Sequence, residues 1–171
     1  LSERRARAGL AQLLEIAATP ASTPPPERLK AFVDAVSTAD PAQIDALLKA
    51  ARDPAHPARE ALCGLCLKLR RDDDVRGVVA AFLLDHPEAE SAWELAEAVV
   101  RDGPPELAER VARRALAAGT ERAARSAARQ LVYRGVADPR LAGVVRELRT
   151  EIDARLKDEY DRKAFAKLTA P

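Results

Sequence analysis

The two cysteines of the chain are the first residues whose types and spacing suggest a chemistry. Cys63 and Cys66 are separated by two residues, a spacing found in zinc sites and in redox-active dithiols. A zinc site needs four ligands, and the chain adds only His56 and His86, in an order that differs from the usual zinc motifs. Positions three apart on a helix hold their Cβ atoms about 5 to 6 Å apart, which would strain a disulfide.

Helical periodicity gives the cysteines a structural role instead. Leu62, Leu65, Cys66 and Leu69 fall on one side of a helical wheel, and Cys63 lies at the border of that side. We therefore predict that Cys66 packs in the core, and that the chain binds no metal and no other cofactor. Both histidines flank prolines at predicted helix ends, which favours a capping or surface role over ligation.

Charged residues are the second feature that could carry a function. The segment from Asp85 to Glu109 holds eight acids and one arginine, whereas Arg110 to Arg134 holds seven arginines and one glutamate. On the predicted helices the acids and the arginines each form a stripe opposite apolar residues. The candidate contact set is Trp93 with the acids Glu90, Glu94 and Glu97 and the arginines Arg122, Arg125 and Arg129.

Two interpretations of these stripes remain open. The stripes are either solvated faces that neutralise each other, or the acidic and basic halves of a concave surface that orients a charged partner. Trp93 borders the acidic stripe, where it is either a half-exposed binding anchor or a satellite core residue. No nucleophile, base and orienting group recur at a workable spacing, so we assign no catalytic residue.

The amino-acid composition and the positions of proline and glycine predict the helices that position these residues. Alanine is abundant and aromatic residues are few, which favours an all-helical protein. Three helix starts are predicted from Asp-Pro pairs, in which Asp caps the free amides: Asp40-Pro41, Asp53-Pro54 and Asp138-Pro139. Proline and glycine divide the chain into nine predicted helices, at residues 2–18, 27–38, 41–52, 57–71, 74–86, 88–101, 105–118, 121–134 and 139–168.

An internal repeat is visible in the same segments. Residues 59–83 align with residues 125–149 at an offset of 66, and a weaker copy lies at an offset of 33. A period near 33 with two helices per unit resembles the HEAT-like and TPR-like α-solenoids. We therefore predict an all-α, right-handed α-solenoid of helical hairpins. Its predicted parts are an N-terminal helix (1–18), an exposed Pro-rich linker (19–27), a helical-repeat domain (28–150) and a C-terminal capping helix with its tail (151–171).

The C-terminal segment is predicted to continue one long helix. A narrow apolar seam of Ile152, Leu156, Tyr160 and Ala164 runs among charged residues beyond Thr150. Such a seam is typical of a helix that caps the end of a repeat array, and also of a short coiled-coil contact between two copies. The cap is favoured over the dimer.

Two short stretches resemble the HEAT-repeat DNA glycosylases of alkylation repair. In that family a tryptophan and an acid one turn later meet an arginine of the next repeat near the damaged nucleotide. Here "SAWELAEAVV" contains Trp93 and Glu97, and "RAARSAARQLVY" contains Arg125 and Arg129. The resemblance implies nucleic-acid binding as an alternative function.

The net charge and the absence of long apolar runs limit the classes of function that the chain can have. The net charge of +1 favours no class of partner, the chain contains no apolar run long enough to span a bilayer, and its first residues lack the apolar centre of a secretory signal. We therefore expect a cytoplasmic, monomeric protein. The predicted function is a non-enzymatic scaffold that binds a protein or peptide through a charged concave face, and the alternative is nucleic-acid binding.

Overall fold

The computed structural model describes residues 2–171, and all of the regular structure in this range is helical. The predicted all-α class is therefore confirmed. The predicted count of nine helices is wrong, because these residues form eleven α-helices and one 3-10 turn, Pro20–Ser22. The α-helices are α1 (Ser2–Ala18), α2 (Pro26–Ala35), α3 (Pro41–Ala51), α4 (Arg59–Leu69), α5 (Asp73–Asp85), α6 (Ala92–Asp102), α7 (Pro105–Ala118), α8 (Glu121–Ala137), α9 (Pro139–Glu147), α10 (Arg149–Asp153) and α11 (Glu159–Thr169).

Capping residues fix two of the three predicted Asp-Pro helix starts. Asp40 accepts the backbone N–H of Gln43 at 2.8 Å, and the Gln43 side chain accepts the backbone N–H of Asp40 at 2.9 Å, so α3 begins with a capping box. Asp138 caps α9 by accepting the backbone N–H groups of Arg140 and Leu141, without a reciprocal bond. Asp53 instead closes a turn, and α4 begins only at Arg59, so the prediction of a helix start at Asp53-Pro54 is wrong.

The chain forms two compact units, residues 1–82 and 83–171, and α5 contains the boundary between them. In the first unit α1 packs against α2 and α3, α4 packs against α3, and α2 and α4 also touch. The result is one helical hairpin laid against another. Its core is built from fully buried leucines of α1, α3 and α4, namely Leu13, Leu47, Leu48, Leu62 and Leu65.

Helix α8 lies at the centre of the second unit. It packs against α6, α7, α9 and α11, and α7 packs against α6 and α9. Its buried residues include four alanines, whose small side chains allow a neighbouring helix to approach closely. Thr120 fixes its start by accepting the N–H of Ala123 at 3.1 Å. This arrangement sets α6 and α8 side by side.

Helix starts recur with nearly the predicted period along the chain. The helices α2, α4 and α6 begin at Pro26, Arg59 and Ala92, which reproduces the sequence offset of 33. The starts of α3, α5 and α7 are spaced almost as evenly, one position closer together at each step. Aligned positions are buried in each copy, as with Leu62 and Leu95. None of the helices within residues 2–171 combines the length and the apolar content needed to cross a bilayer.

Two basic residues that lie 66 positions apart each bind the C-terminal end of a neighbouring helix. Lys68 Nζ donates to the carbonyl of Val33 at 3.3 Å, next to the end of α2. Arg134 aligns with Lys68 at the offset of 66, and it donates to the carbonyls of Val100 and Gly103 at 3.0 and 2.5 Å, at the end of α6. The last carbonyls of a helix lack partners within the helix and carry partial negative charge, so a cation satisfies both needs.

The long C-terminal helix predicted over residues 139–168 is broken in two places. The chain leaves the helix at Leu148 and again between Ala154 and Asp158, which gives the three helices α9, α10 and α11. Asp158 caps α11, which then folds back onto α8 and α9. An unbroken helix could not fold back in this way, and Phe165, which α11 buries, would have no core to enter.

The apolar seam predicted for this segment is correspondingly only half present. Ile152 and Leu156 are buried as expected, but Tyr160 is 70% exposed. The apolar side chain that α11 buries most deeply is Phe165, which the predicted seam omitted. Because Ile152 and Leu156 are covered by their own chain, the four-residue seam is not available to a second copy.

We expect Gly77→Ala and Gly143→Ala each to raise the free energy of unfolding by about 0.5 to 1 kcal/mol. Both glycines lie inside helices, and a Cβ atom added at either position would meet no atom within 4 Å. Alanine therefore removes the backbone entropy penalty without a clash. Gly135→Ala is the matched control, because its Cβ would come within 3.0 Å of Leu168 and 3.3 Å of Ala142. Urea denaturation that ranks Gly135→Ala above the other two would contradict the prediction.

Candidate functional site

Trp93 and Arg122 form the centre of the candidate site. Trp93 is the second residue of α6, Arg122 is the second residue of α8, and these two helices lie side by side. The guanidinium carbon of Arg122 lies 3.6 Å from the centroid of the Trp93 ring, which is a cation–π stack. Trp93 is half-buried and Arg122 is exposed, so the stack faces solvent.

The predicted acidic stripe is only partly on α6. Glu94 and Glu97 lie on this helix, but Glu90 precedes it in a turn, so the prediction that all three share one helical face is wrong for Glu90. Glu97 lies 3.7 Å from Arg101 of its own helix and accepts a hydrogen bond from Ser126 at 3.4 Å. Glu90 and Glu94 are exposed and form no ion pair with any described residue, 2–171.

The three predicted arginines of α8 have three different environments. Arg122 stacks on Trp93 and has no carboxylate partner within residues 2–171. Arg125 lies 3.9 Å from Glu121, one turn earlier, and its Nε atom is buried without a hydrogen-bond partner in the described part of the chain. Arg129 forms an ion pair with Asp161 of α11 at 3.2 Å. Arg122 is therefore the arginine of this set that has no carboxylate partner among the described residues.

Arg129 belongs to a contact that fastens α11 to α8. The carboxylate of Asp161, which is 4% exposed, accepts hydrogen bonds from Arg129 and from the Tyr133 hydroxyl. The hydrogen bond to Asp161 raises the pKa of Tyr133. The hydrogen bond with Tyr133 and the charge of Asp161 raise the pKa of Arg129. Arg129 therefore helps to hold the C-terminal helix, and its predicted binding role stays a prediction.

Ion pairs neutralise the charges between α7 and α9 but not those at Trp93. Glu109 of α7 pairs with Arg113 at 3.0 Å and with Arg140 of α9 at 3.2 Å. Burial acts to raise the pKa of Glu109, but the hydrogen bonds from both arginines outweigh it, so the pKa is lowered. In the described residues no ion pair joins the acids Glu90, Glu94 and Glu97 to the arginines Arg122, Arg125 and Arg129. The two stripes thus do not neutralise each other through direct contacts.

The cysteines pack in the core, as the periodicity predicts. Cys63 and Cys66 are unpaired and 0% exposed, and Cys63 is buried more completely than its border position on the wheel suggested. His56 is also buried. Its Nε2 lies 3.1 Å from the carbonyl oxygen of Ile16, and its Nδ1 accepts the N–H of Ala58. His56 therefore lies in the core and bonds backbone groups, and because no side chain caps α4, the expected capping or surface role is wrong for His56. Residues 2–171 contain no cluster of three or more metal-ligating side chains.

The sequence matches no family model, and no curated protein or solved structure gives a significant match. The functional argument therefore depends on the contacts of the chain itself.

Proposed function

We propose that this protein is a non-enzymatic helical-repeat scaffold that binds a protein or peptide segment along α6 and α8. The arrangement proposed for the chain is a right-handed α-solenoid of HEAT-like or TPR-like hairpins, with α6 and α8 on its concave face. The recurrence of helix starts at an offset near 33 and the packing of hairpin on hairpin within each unit support this arrangement. The proposal keeps two expectations from the sequence, a cytoplasmic location and a monomeric state.

The observation that carries the proposal is the exposed stack of Arg122 on Trp93. Tryptophan is enriched among the few residues that contribute most of the binding energy of a protein interface. Arg122 also lies in the first turn of α8, where the helix dipole disfavours a cation. The helix dipole therefore does not account for a cation at this position, and a role at the Trp93 ring explains it better.

Nucleic-acid binding is the less favoured alternative. The phosphate backbone is bound through several free cations, and each contact adds to the salt dependence of affinity. Two of the three candidate arginines on α8 are already paired with Glu121 and Asp161, and the unpaired acids Glu90 and Glu94 lie near Trp93 in the sequence. This distribution of charge favours a peptide over a polyanion.

The test is selection of peptides from a random display library on the intact protein. We expect enriched peptides to lose at least about tenfold in affinity for Trp93→Ala, the loss typical of an interface anchor. Tyr160→Ala, which removes an exposed aromatic ring elsewhere in the same unit, serves as the matched control and should bind normally. Affinity is measured by fluorescence anisotropy of the labelled peptides.

Two results would contradict the proposal. One is equal affinity of the selected peptides for the wild-type protein and Trp93→Ala. The other is tight binding of single-stranded or duplex DNA that falls by a factor of about 10³ or more between low and moderate salt, as expected for several phosphate contacts.

A further inference from the structure

We infer that the partner presents an arginine or lysine side chain to Trp93, and that Arg122 occupies this position as an internal substitute until the partner displaces it. The inference rests on the proposed function, because it names the chemistry of the segment that α6 and α8 would bind. It follows from three properties of the site: the accessible ring face, the weak hold on Arg122, and the unpaired acids.

The ring of Trp93 already accepts a cation. The guanidinium of Arg122 lies 3.6 Å from the ring centroid, well inside the range over which an aromatic ring attracts a positive charge. Because Arg122 is exposed, a cation arriving from solvent can reach the same face once the side chain swings away. The stack thus identifies a position that a guanidinium or ammonium group fits.

Apart from the stack on Trp93, few interactions hold the Arg122 side chain in place. It forms no ion pair within residues 2–171, and the dipole of α8 opposes a positive charge at the second position of the helix. Displacing it therefore breaks one exposed cation–π contact and no carboxylate pair. A side chain that gained an additional ion pair at the same ring would replace it.

The acids near Trp93 in the sequence supply this additional interaction. Glu90 and Glu94 flank Trp93 in the turn and first turn of α6, both are exposed, and neither is neutralised by Arg122 or by any other described cation. A basic segment that reaches the ring has these two carboxylates available as further partners, whereas an acidic segment would gain neither of them. Charge complementarity therefore selects a basic partner.

The experiment titrates a labelled peptide of alternating arginine and alanine into the intact protein at low ionic strength. We expect Arg122→Ala to bind this peptide about two- to fivefold more tightly than the wild-type protein, the factor that corresponds to one exposed cation–π contact. Glu94→Gln should bind it more weakly. Arg110→Ala is the matched control, because Arg110 is an exposed residue of α7 and its loss changes the net charge equally. Its affinity should change less than that of Arg122→Ala.

A second peptide, with glutamate in place of arginine, tests the opposite possibility, namely that the site binds an acidic segment through Arg122. The inference is wrong if Arg122→Ala binds the arginine peptide no better than the wild-type protein does, if no protein binds it, or if the glutamate peptide binds in an Arg122-dependent way. Failure of this inference alone can be distinguished from failure of the proposed function. In that case library peptides still require Trp93 but carry acids, whereas library peptides indifferent to Trp93→Ala would remove the proposed function as well.

Discussion

Replacing Phe165 by alanine is expected to lower the free energy of unfolding by about 3 kcal/mol, within the range for a buried phenylalanine. Phe165 is 7% exposed and is the apolar residue that α11 buries most deeply. The loss includes the transfer of the ring from water and the cavity that it leaves. Because α11 packs against both α8 and α9, the variant loosens the C-terminal helix from two neighbours at once.

Tyr160→Ala gives this experiment its control, since it removes an aromatic ring from the same helix. Tyr160 is 70% exposed, and a change at such a position is expected to alter stability by no more than about 0.5 kcal/mol. Both variants are compared by urea denaturation with circular dichroism. If the two lose equal stability, or if Tyr160→Ala loses more, then the single long helix and the apolar seam expected from the sequence describe this segment better than a docked α11.

Helix starts were predictable where the deciding contacts are local. The carboxylates of Asp40 and Asp138 cap helices close to their own position in the chain, so the sequence contains all of the interaction. Glu90 shows the limit of this reasoning. A helix was predicted from residue 88, but α6 begins at Ala92, because a turn occupies the residues after Pro87.

The C-terminal break depends on packing far along the chain. Ile152 and Leu156 are buried whether the helix continues or stops, so periodicity does not distinguish the two cases. What selects the break is the docking of α11 onto α8 and α9, two helices that precede it in the chain. No local sequence pattern predicts that Asp161 accepts hydrogen bonds from Tyr133 and Arg129, which lie about 30 positions earlier in the chain.

The candidate residues of the site follow from the sequence, but the pairs that they form do not. Trp93 and Arg122 were both selected, yet their contact depends on the register of α6 against α8. The repeat offset of 33 would place Trp93 level with Ser126, whereas Trp93 contacts Arg122 and Ser126 contacts Glu97. The helix-end contact of Arg134 was not predicted, although Lys68 and Arg134 are both basic and lie at the sequence offset of 66.

The second large effect is expected at alkaline pH. Burial, with a smaller contribution from the neighbouring thiol, raises the pKa of Cys63 from 9.0 to about 12, and burial raises the pKa of Cys66 by the same amount. A thiol with a raised pKa keeps its proton in the folded protein at a pH where the unfolded chain has lost it. Its contribution to stability is therefore complete below pH 9.0 and is lost progressively as the pH rises toward about 12.

At about pH 10 each buried thiol should reduce the free energy of unfolding by about 1 to 2 kcal/mol, which amounts to about 3 kcal/mol for the pair. The measurement is urea denaturation of the wild-type protein and of the double variant Cys63→Ala/Cys66→Ala at about pH 8 and about pH 10. Other alkaline groups, such as Tyr133, titrate in both proteins, so the difference between them isolates the thiols. Equal losses in the two proteins would mean that Cys63 and Cys66 ionise as readily in the folded state as in the unfolded chain. That result would place the cysteines at an accessible surface and would reopen the question of a site built on their C-x-x-C spacing.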